Sequence, residues 1–238
     1  IYYETQLYNK NRLLYFDSRM SRGQVIGEGD LQRRLNANSG RPLKLFYSGR
    51  FEPIKGSLDA VRVGIECIRN GVDIEMHFFG QGSLKDAMAR LVIESGNGQI
   101  FIHDSVPYPE LVRRSREFDI FVCCHVQDDP SCTYLEAFGS GLPIVGYANS
   151  MWRHLQRNSG VGYTARIGDY RLLAAQVRQY AMQRDVLKQH SNAARAFALA
   201  HCFEAEFKKR TDDINALLNA KSAARPGVIN RKPSVAVE

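Results

Sequence analysis

Short apolar runs alternate with helical stretches along most of this 238-residue chain, and this alternation constrains the fold more than any other feature. The stretches between the runs repeat apolar residues every three or four positions, as a helix with one buried face does. Strands that alternate with helices form βαβ units, whose sheet is parallel and covered on both faces. The sequence therefore predicts an α/β fold with a doubly wound, Rossmann-like parallel sheet. The six predicted strands are residues 43–47, 74–79, 99–103, 118–124, 143–147 and 161–167.

The pattern changes at both ends of the chain. Residues 36–40 are polar and end in glycine, which is typical of a linker or turn, so we expect the main domain to span residues 41–200. Helical periodicity continues to about residue 220. Residues 222–238 are polar and contain Pro and Gly, which predicts a disordered tail. Because the first residue is Ile1 rather than Met, we expect a fragment or a processed product.

Composition narrows the class of protein and its surroundings. The net charge of +7 favours an acidic partner. The sequence carries no nucleic-acid-binding signature, so we expect that this partner is not a nucleic acid. The dense basic run Lys208-Lys209-Arg210 is typical of a solvated helix face, with a phosphate or membrane-surface patch as the alternative. The sequence has five cysteines without a C-x-x-C pair, and it has neither a membrane-length apolar run nor a signal pattern. These features favour a cytoplasmic location, with peripheral contact at the inner membrane face as an alternative.

The loop after the first predicted strand carries two positive charges. Arg50 and Lys55 lie between Gly49 and Gly56, directly before a predicted helix. Fixed cations beside a helix N-terminus suit a diphosphate, because the first N–H groups and the helix dipole also favour an anion. The alternative is a solvated loop with two ordinary surface cations.

The loop after the second strand contains Gly80-Gln81-Gly82. A dinucleotide-binding fingerprint would need a third glycine where Lys85 stands. A tight turn with Ser83 as the N-cap of the next helix is the better interpretation.

The loop after the fourth strand carries two carboxylates, Asp128 and Glu136, the second in the first turn of a helix. A carboxylate there can accept hydrogen bonds from two ribose hydroxyls, and the backbone N–H groups at Thr133, Tyr134 and Leu135 can face a phosphate. Thr133 and Glu136 also fit a capping box, in which Glu136 only closes the helix start. From this segment alone the two interpretations are equally supported.

Taken together, these elements resemble retaining GT-B glycosyltransferases of the GT4 type over residues 41–220. The resemblance rests on the ordered set G-R-x4-K-G, G-x-G, acid-x7-Glu and A-x-G-S-G-x-P-I-V. It implies that the chain is the nucleotide-sugar-binding, donor half of an enzyme that transfers sugar to a glycan or lipid-linked acceptor. The implied diphosphate-binding residues are Arg50, Lys55, Thr133, Tyr134 and Leu135. The implied ribose ligand is Glu136, the donor-sugar residues are Asp128, Asp129 and Ser131, and the base-side loop contains His103, Val106 and Tyr108.

The resemblance also implies what the chain lacks. Residues 1–40 would be a remnant of an N-terminal acceptor domain with the interdomain linker, and residues 201–221 a helix that packs toward that domain. The catalytic residues, including the family's histidine, would lie mostly in the missing domain. No cofactor or metal is expected, because the sequence has neither an Asp-x-Asp triplet nor H-E-x-x-H.

The sequence departs from the family's pattern at two places, and two alternative functions fit the same fold. The first acid is Asp128 where the family usually has Glu, and residues 129–132 replace a glycine-rich stretch. A related sugar-nucleotide epimerase, or a non-catalytic nucleotide-binding module, would share the same sheet and nucleotide site.

Overall fold

The computed structural model describes residues 16–37, 40–128 and 132–223. All six predicted strands are present, with ends shifted by at most two residues. The strands are β1 (Leu43–Ser48), β2 (Ile74–Phe79), β3 (Ile100–His103), β4 (Ile120–Cys123), β5 (Ile144–Tyr147) and β6 (Tyr163–Ala165). The helices are α1 (Glu28–Asn36), α2 (Ser57–Arg69), α3 (Lys85–Ser95), α4 (Tyr108–Ser115), α5 (Thr133–Gly139), α6 (Ser150–Ser159), α7 (Tyr170–Met182), α8 (Arg184–Ala200) and α9 (Phe203–Ala223).

The strands form one parallel sheet in the order β3-β2-β1-β4-β5-β6. This order confirms the predicted doubly wound, Rossmann-like α/β fold. After β3 the chain crosses back over the sheet to place β4 on the other side of β1. Ligands of such sheets bind at the carboxyl ends of the strands where the order reverses, which here is between β1 and β4.

Alternating side chains of each strand feed two separate cores. In β1, Leu45 and Tyr47 face one core with α2, α3 and α7, whereas Phe46 faces the other with α4, α5, α6 and α8. The period of two in a strand requires this division, and helices on both faces exclude water from the sheet.

A helix that the sequence analysis did not anticipate lies in the polar stretch before β1. Leu31 and Leu35 of α1 are one turn apart and fully buried. Between them Arg34, also buried, donates hydrogen bonds to the carbonyl oxygens of Ser140 (2.8 Å), Gly141 (2.7 Å) and Arg116 (3.0 Å). The guanidinium thus satisfies carbonyls at the end of α5 and fixes α1 to the sheet domain. The sequence of α1 did not indicate this buried face, because one of its three buried residues, Arg34, is charged and the helix has few apolar residues.

The turn after β2 forms as predicted, but its cap differs. The N-cap of α3 is Leu84 rather than Ser83. The Ser83 amide and hydroxyl donate to the two carboxylate oxygens of Glu52, at 3.0 and 2.7 Å. The prediction for Ser83 was wrong because the helix begins one residue later than predicted, and the Ser83 hydroxyl is turned to Glu52 instead of to the first helical N–H groups.

The last helix, α9, carries an apolar stripe that the described residues leave exposed. Phe207, Ile214 and Leu218 are each more than half exposed, and the Phe203 and Phe207 rings stack at 5.6 Å. The start of α9 is tied to the domain, where the Phe203 amide donates to the Met20 carbonyl at 2.8 Å. No helix within the described ranges is both long and apolar enough to cross a membrane. The predicted tail lies almost wholly outside the described residues.

We expect Arg34→Ala to lower the free energy of unfolding by about 3 kcal/mol, because three carbonyls lose a buried charged donor. Urea denaturation measures this value. Arg33→Ala is the matched control, since the Arg33 side chain is exposed on the same helix, and its loss should stay within about 0.5 kcal/mol. Equal losses in the two variants would show that Arg34 does not hold α1 in place.

Candidate functional site

Loops from three strands meet at the carboxyl edge of the sheet. The Phe51 amide, after β1, donates to the Gln81 carbonyl after β2 at 2.8 Å. The Val126 amide, after β4, donates to the Ile54 carbonyl at 3.1 Å. The structure thus brings the loops singled out in the sequence into one continuous surface at the reversal of strand order.

Gly56 allows this close approach between the loops after β1 and β4. Its φ of 61° lies in the left-handed region, and an added Cβ would lie 2.0 Å from the Cys124 carbonyl oxygen. Any side chain at Gly56 would therefore push the two loops apart.

The two cations of the first loop differ in their surroundings. Lys55 is 7% exposed and ends a short 3-10 turn, directly before Gly56 and α2. Arg50 is exposed, and its carbonyl accepts from the hydroxyls of Tyr47 and Ser57, both at 3.3 Å. The backbone beneath Arg50 is thus fixed while its guanidinium faces solvent. Both cations lie at the start of a 13-residue helix, where an anion is favoured. Their diphosphate role stays a prediction.

Glu136 is the more buried of the two predicted site carboxylates that the structure describes, the other being Asp128. Its side chain is 12% exposed, and its Oε1 accepts from Nε and Nη2 of Arg19 at 3.1 and 2.6 Å. Burial raises the pKa of Glu136, and the hydrogen bonds from Arg19 oppose that rise. The site therefore keeps a desolvated carboxylate whose charge a neighbouring guanidinium supports.

The capping-box alternative for Glu136 was wrong. Cys132 is the N-cap of α5, and Thr133 is its first helical residue. The helix therefore begins one residue earlier than that alternative required, and the Glu136 carboxylate turns to Arg19. Tyr134 and Leu135 are buried, so only their backbone N–H groups could meet a phosphate. That phosphate contact stays a prediction.

A small cavity joins three of the predicted residues. Tyr108, Thr133 and Glu136 line it together with Ser48, the last residue of β1. Its volume of about 10 Å³ holds about one water molecule. Burial raises the pKa of the Tyr108 phenol to about 12, and the nearby Glu136 carboxylate adds to the rise. Val106 packs against the core beside this cavity without lining it.

His103 is engaged away from the cavity. Its Nε2 lies 3.0 Å from Nδ1 of His77 on β2, and its ring stacks on Phe79. Burial lowers the pKa of both imidazoles, that of His77 to about 4, so both rings are neutral at neutral pH. The sequence analysis missed His77, although its alternation on β2 places it on the same face as Phe79.

Asp128 closes the start of α6. Its carboxylate accepts from the Ser150 amide at 2.5 Å and from the Ser150 hydroxyl at 2.8 Å, and these bonds lower the pKa of Asp128. The donor-sugar role of Asp128 stays a prediction, and Asp129 and Ser131 lie outside the described residues.

Asn149 joins three elements beside Asp128. Its side-chain oxygen caps α6 by accepting from the Trp152 amide at 2.8 Å. Its Nδ2 donates to the His125 carbonyl (3.1 Å) and the Tyr134 hydroxyl (3.0 Å). This side chain therefore ties the start of α6 to the loop after β4 and to α5. Within the described ranges, no three His, Cys, Asp or Glu side chains gather as a metal site would require, and metal independence stays a prediction.

Comparison with known proteins places the chain in a family. The model of glycosyl transferases group 1 matches residues 30–197, so the chain belongs to that family, whose members have the GT-B fold. Among curated proteins, no sequence matches.

Solved structures share the fold at low sequence identity. The C-terminal domain of LpcC, a group 1 family protein from Francisella tularensis, has a TM-score of 0.64 at 15% identity, covering 76% of this chain and 95% of that one. An S. aureus TarM mutant in complex with fondaparinux, alpha-GlcNAc-glycerol and UDP has a TM-score of 0.63 at 16% identity, covering 80% of this chain. Anabaena HepE in complex with UDP-glucose has a TM-score of 0.68 at 12% identity, covering 84% of this chain. This chain spans 43% of TarM and 55% of HepE.

We expect Asn149→Ala to lower the free energy of unfolding by about 2 kcal/mol, because α6 loses its cap and two buried acceptors lose their donor. Thermal and urea unfolding measure the change. The matched control is Asn158→Ala, at an exposed position of the same helix, with an expected loss below about 0.5 kcal/mol. A loss at Asn149 no larger than at Asn158 would contradict the proposed junction.

Proposed function

We propose that this chain is the donor-binding domain of a retaining glycosyltransferase that takes a sugar from a nucleoside diphosphate sugar. The observation that carries the proposal is the position of Glu136. Its buried carboxylate lies with Tyr108 and Thr133 at the carboxyl edge, where strand order reverses. A carboxylate at this point suits paired ribose hydroxyls, because it accepts two hydrogen bonds without donating any.

The first loop would hold the diphosphate. Arg50 and Lys55 stand at the N-terminus of α2, so their charges and the helix dipole act on the same anion. When the sugar leaves, negative charge develops on the diphosphate, and these fixed cations stabilise it. In this proposal positioning and phosphate stabilisation supply most of the rate, without a metal or other cofactor.

Uridine is the base we favour. The support is that two structures with the same fold, TarM and HepE, are complexes with UDP and with UDP-glucose. In this chain the loop containing His103, Val106 and Tyr108 would lie beside the base. Half-buried aromatic and apolar side chains there suit the face of a planar ring.

The acceptor, a glycan or a lipid-linked molecule, would bind to a second domain. We propose that the exposed stripe on α9 packs toward that domain, because an apolar stripe of this kind gains stability only when it is covered. The catalytic residues would lie mostly across the cleft. Lys208, Lys209 and Arg210 on α9 would be the candidate for peripheral contact with the inner membrane face.

Arg50→Ala should weaken UDP binding about tenfold, because a charge-assisted contact to phosphate is lost. Isothermal calorimetry measures the affinity, and uridine without phosphates should bind both proteins equally. Arg50 gives a cleaner test than Lys55, whose burial means that its replacement also disturbs packing.

Arg69→Ala is the matched control for Arg50→Ala. Arg69 is exposed in the last turn of α2, at the opposite end of the helix from Arg50. The Arg69→Ala substitution therefore removes the same charge without changing the loop after β1. If the Arg50 and Arg69 variants bind UDP equally well, the diphosphate assignment is wrong.

A further inference from the structure

The segment before α1 is fixed against the domain on both sides of Arg19. The Phe16 amide donates to Oε2 of Glu206 at 2.9 Å. Met20 is buried, its carbonyl accepts from the Phe203 amide, and its sulfur packs on Gly139 so closely that an added Cβ there would lie 1.7 Å away. Arg19 therefore extends from an anchored backbone rather than from a loose arm.

Arg19 directs its guanidinium at one oxygen of Glu136. Nε and Nη2 both donate to Oε1, and the guanidinium carbon lies 5.0 Å from the centre of the Tyr108 ring. The Arg19 side chain is 61% exposed, so it covers the carboxylate from the solvent side. None of the residues that the structure describes donates to the second oxygen, Oε2, which can therefore accept a hydrogen bond from a ligand.

Charge explains why this carboxylate needs a partner. Among the described residues, the groups beside it are Tyr108 on α4, Cys132 before α5 and Arg19 on the leading segment, and Asp17 lies next to Cys132. The Cys132 thiol donates to Asp17 at 3.7 Å, and of these four groups only Arg19 is positive at neutral pH. Burial raises the pKa of Glu136, and the hydrogen bonds and charge of Arg19 lower it. Removal of Arg19 would therefore raise the pKa of Glu136 further.

We propose that Arg19 is a positioning residue of the donor site: it keeps Glu136 ionised and occupies Oε1, so that Oε2 is presented to a ribose hydroxyl. This inference rests on the proposed function, because it assigns Arg19 a part in nucleotide binding through Glu136. The residue comes from the segment before the sheet domain, within residues 1–40, which the resemblance made a remnant of an acceptor domain with its linker and to which no site residue was assigned. The donor site would thus extend beyond the loops of the sheet.

The test compares Arg19→Ala with Arg22→Ala, a matched loss of an exposed charge in the same segment. Calorimetry measures binding of the uridine, guanosine and adenosine diphosphates, and the comparison uses the one that binds the unmodified chain most tightly. At neutral pH, Arg19→Ala should weaken its affinity about three- to tenfold, while Arg22→Ala leaves it unchanged. Thermal melting should show both variants folded, because the Arg19 side chain is mostly exposed.

The pH dependence separates positioning from a merely structural effect. Without Arg19, Glu136 takes up a proton at higher pH than in the unmodified chain. The affinity ratio between the two proteins should therefore grow as the pH falls toward about 5.5 and shrink toward about 8.5. Titration of the ligand phosphate affects both proteins equally and cancels in the ratio.

A double-mutant cycle tests whether Arg19 acts through Glu136. In a Glu136→Gln background there is no carboxylate to keep ionised, so Arg19→Ala should no longer change the affinity. Tighter binding by Arg19→Ala would overturn the inference, because it would show that the ligand must displace Arg19 from Glu136 in order to bind. A pH-independent ratio, or an unaltered Arg19 effect in the Gln background, would also overturn it. Failure of the unmodified chain to bind any of the three nucleotides would instead refute the proposed function.

Discussion

The parallel pairing of β1 with β4 is the constraint on which the rest of this structure depends. These strands are neighbours in space but are separated by β2 and β3 along the chain, so the order of the sheet reverses between them. The loops that follow them diverge into different helices and leave a surface at the carboxyl edge. Gly56 sets how closely the loops approach, since its backbone lies against the Cys124 carbonyl.

A second constraint is electrostatic. Glu136 is held in a place that disfavours its charge, and Arg19, 117 residues earlier in the chain, supports that charge. Arg34 likewise stabilises polar groups at the end of α5, where its buried guanidinium donates hydrogen bonds to the Ser140 and Gly141 carbonyls. Both arginines come from the segment before β1, so this segment contributes contacts to the sheet domain rather than only preceding it.

The strands and most helices could be predicted because their apolar periodicity is local. Capping is also local: at the start of α7, Asp169, a residue type that favours the N-cap, accepts from the Leu172 amide at 3.0 Å. Arg19 and Arg34 could not be predicted, because their roles depend on partners that are distant in sequence and carry no local signal. The positions of the three loops after β1, β2 and β4 were predicted from the strand pattern, whereas the choice at Glu136 between helix capping and another partner required the three-dimensional structure. Its role with ribose still requires a ligand.

The most direct test of this account is a calorimetric titration of the purified chain with uridine, guanosine and adenosine diphosphates. The account predicts binding of a nucleoside diphosphate, with uridine diphosphate favoured, and loss of that binding in Glu136→Gln while the melting temperature is nearly unchanged. Modest affinity is expected, because this surface would cover the ligand from one side only. Binding of none of the three, or undiminished binding by Glu136→Gln, would contradict the claim that this surface is a donor site.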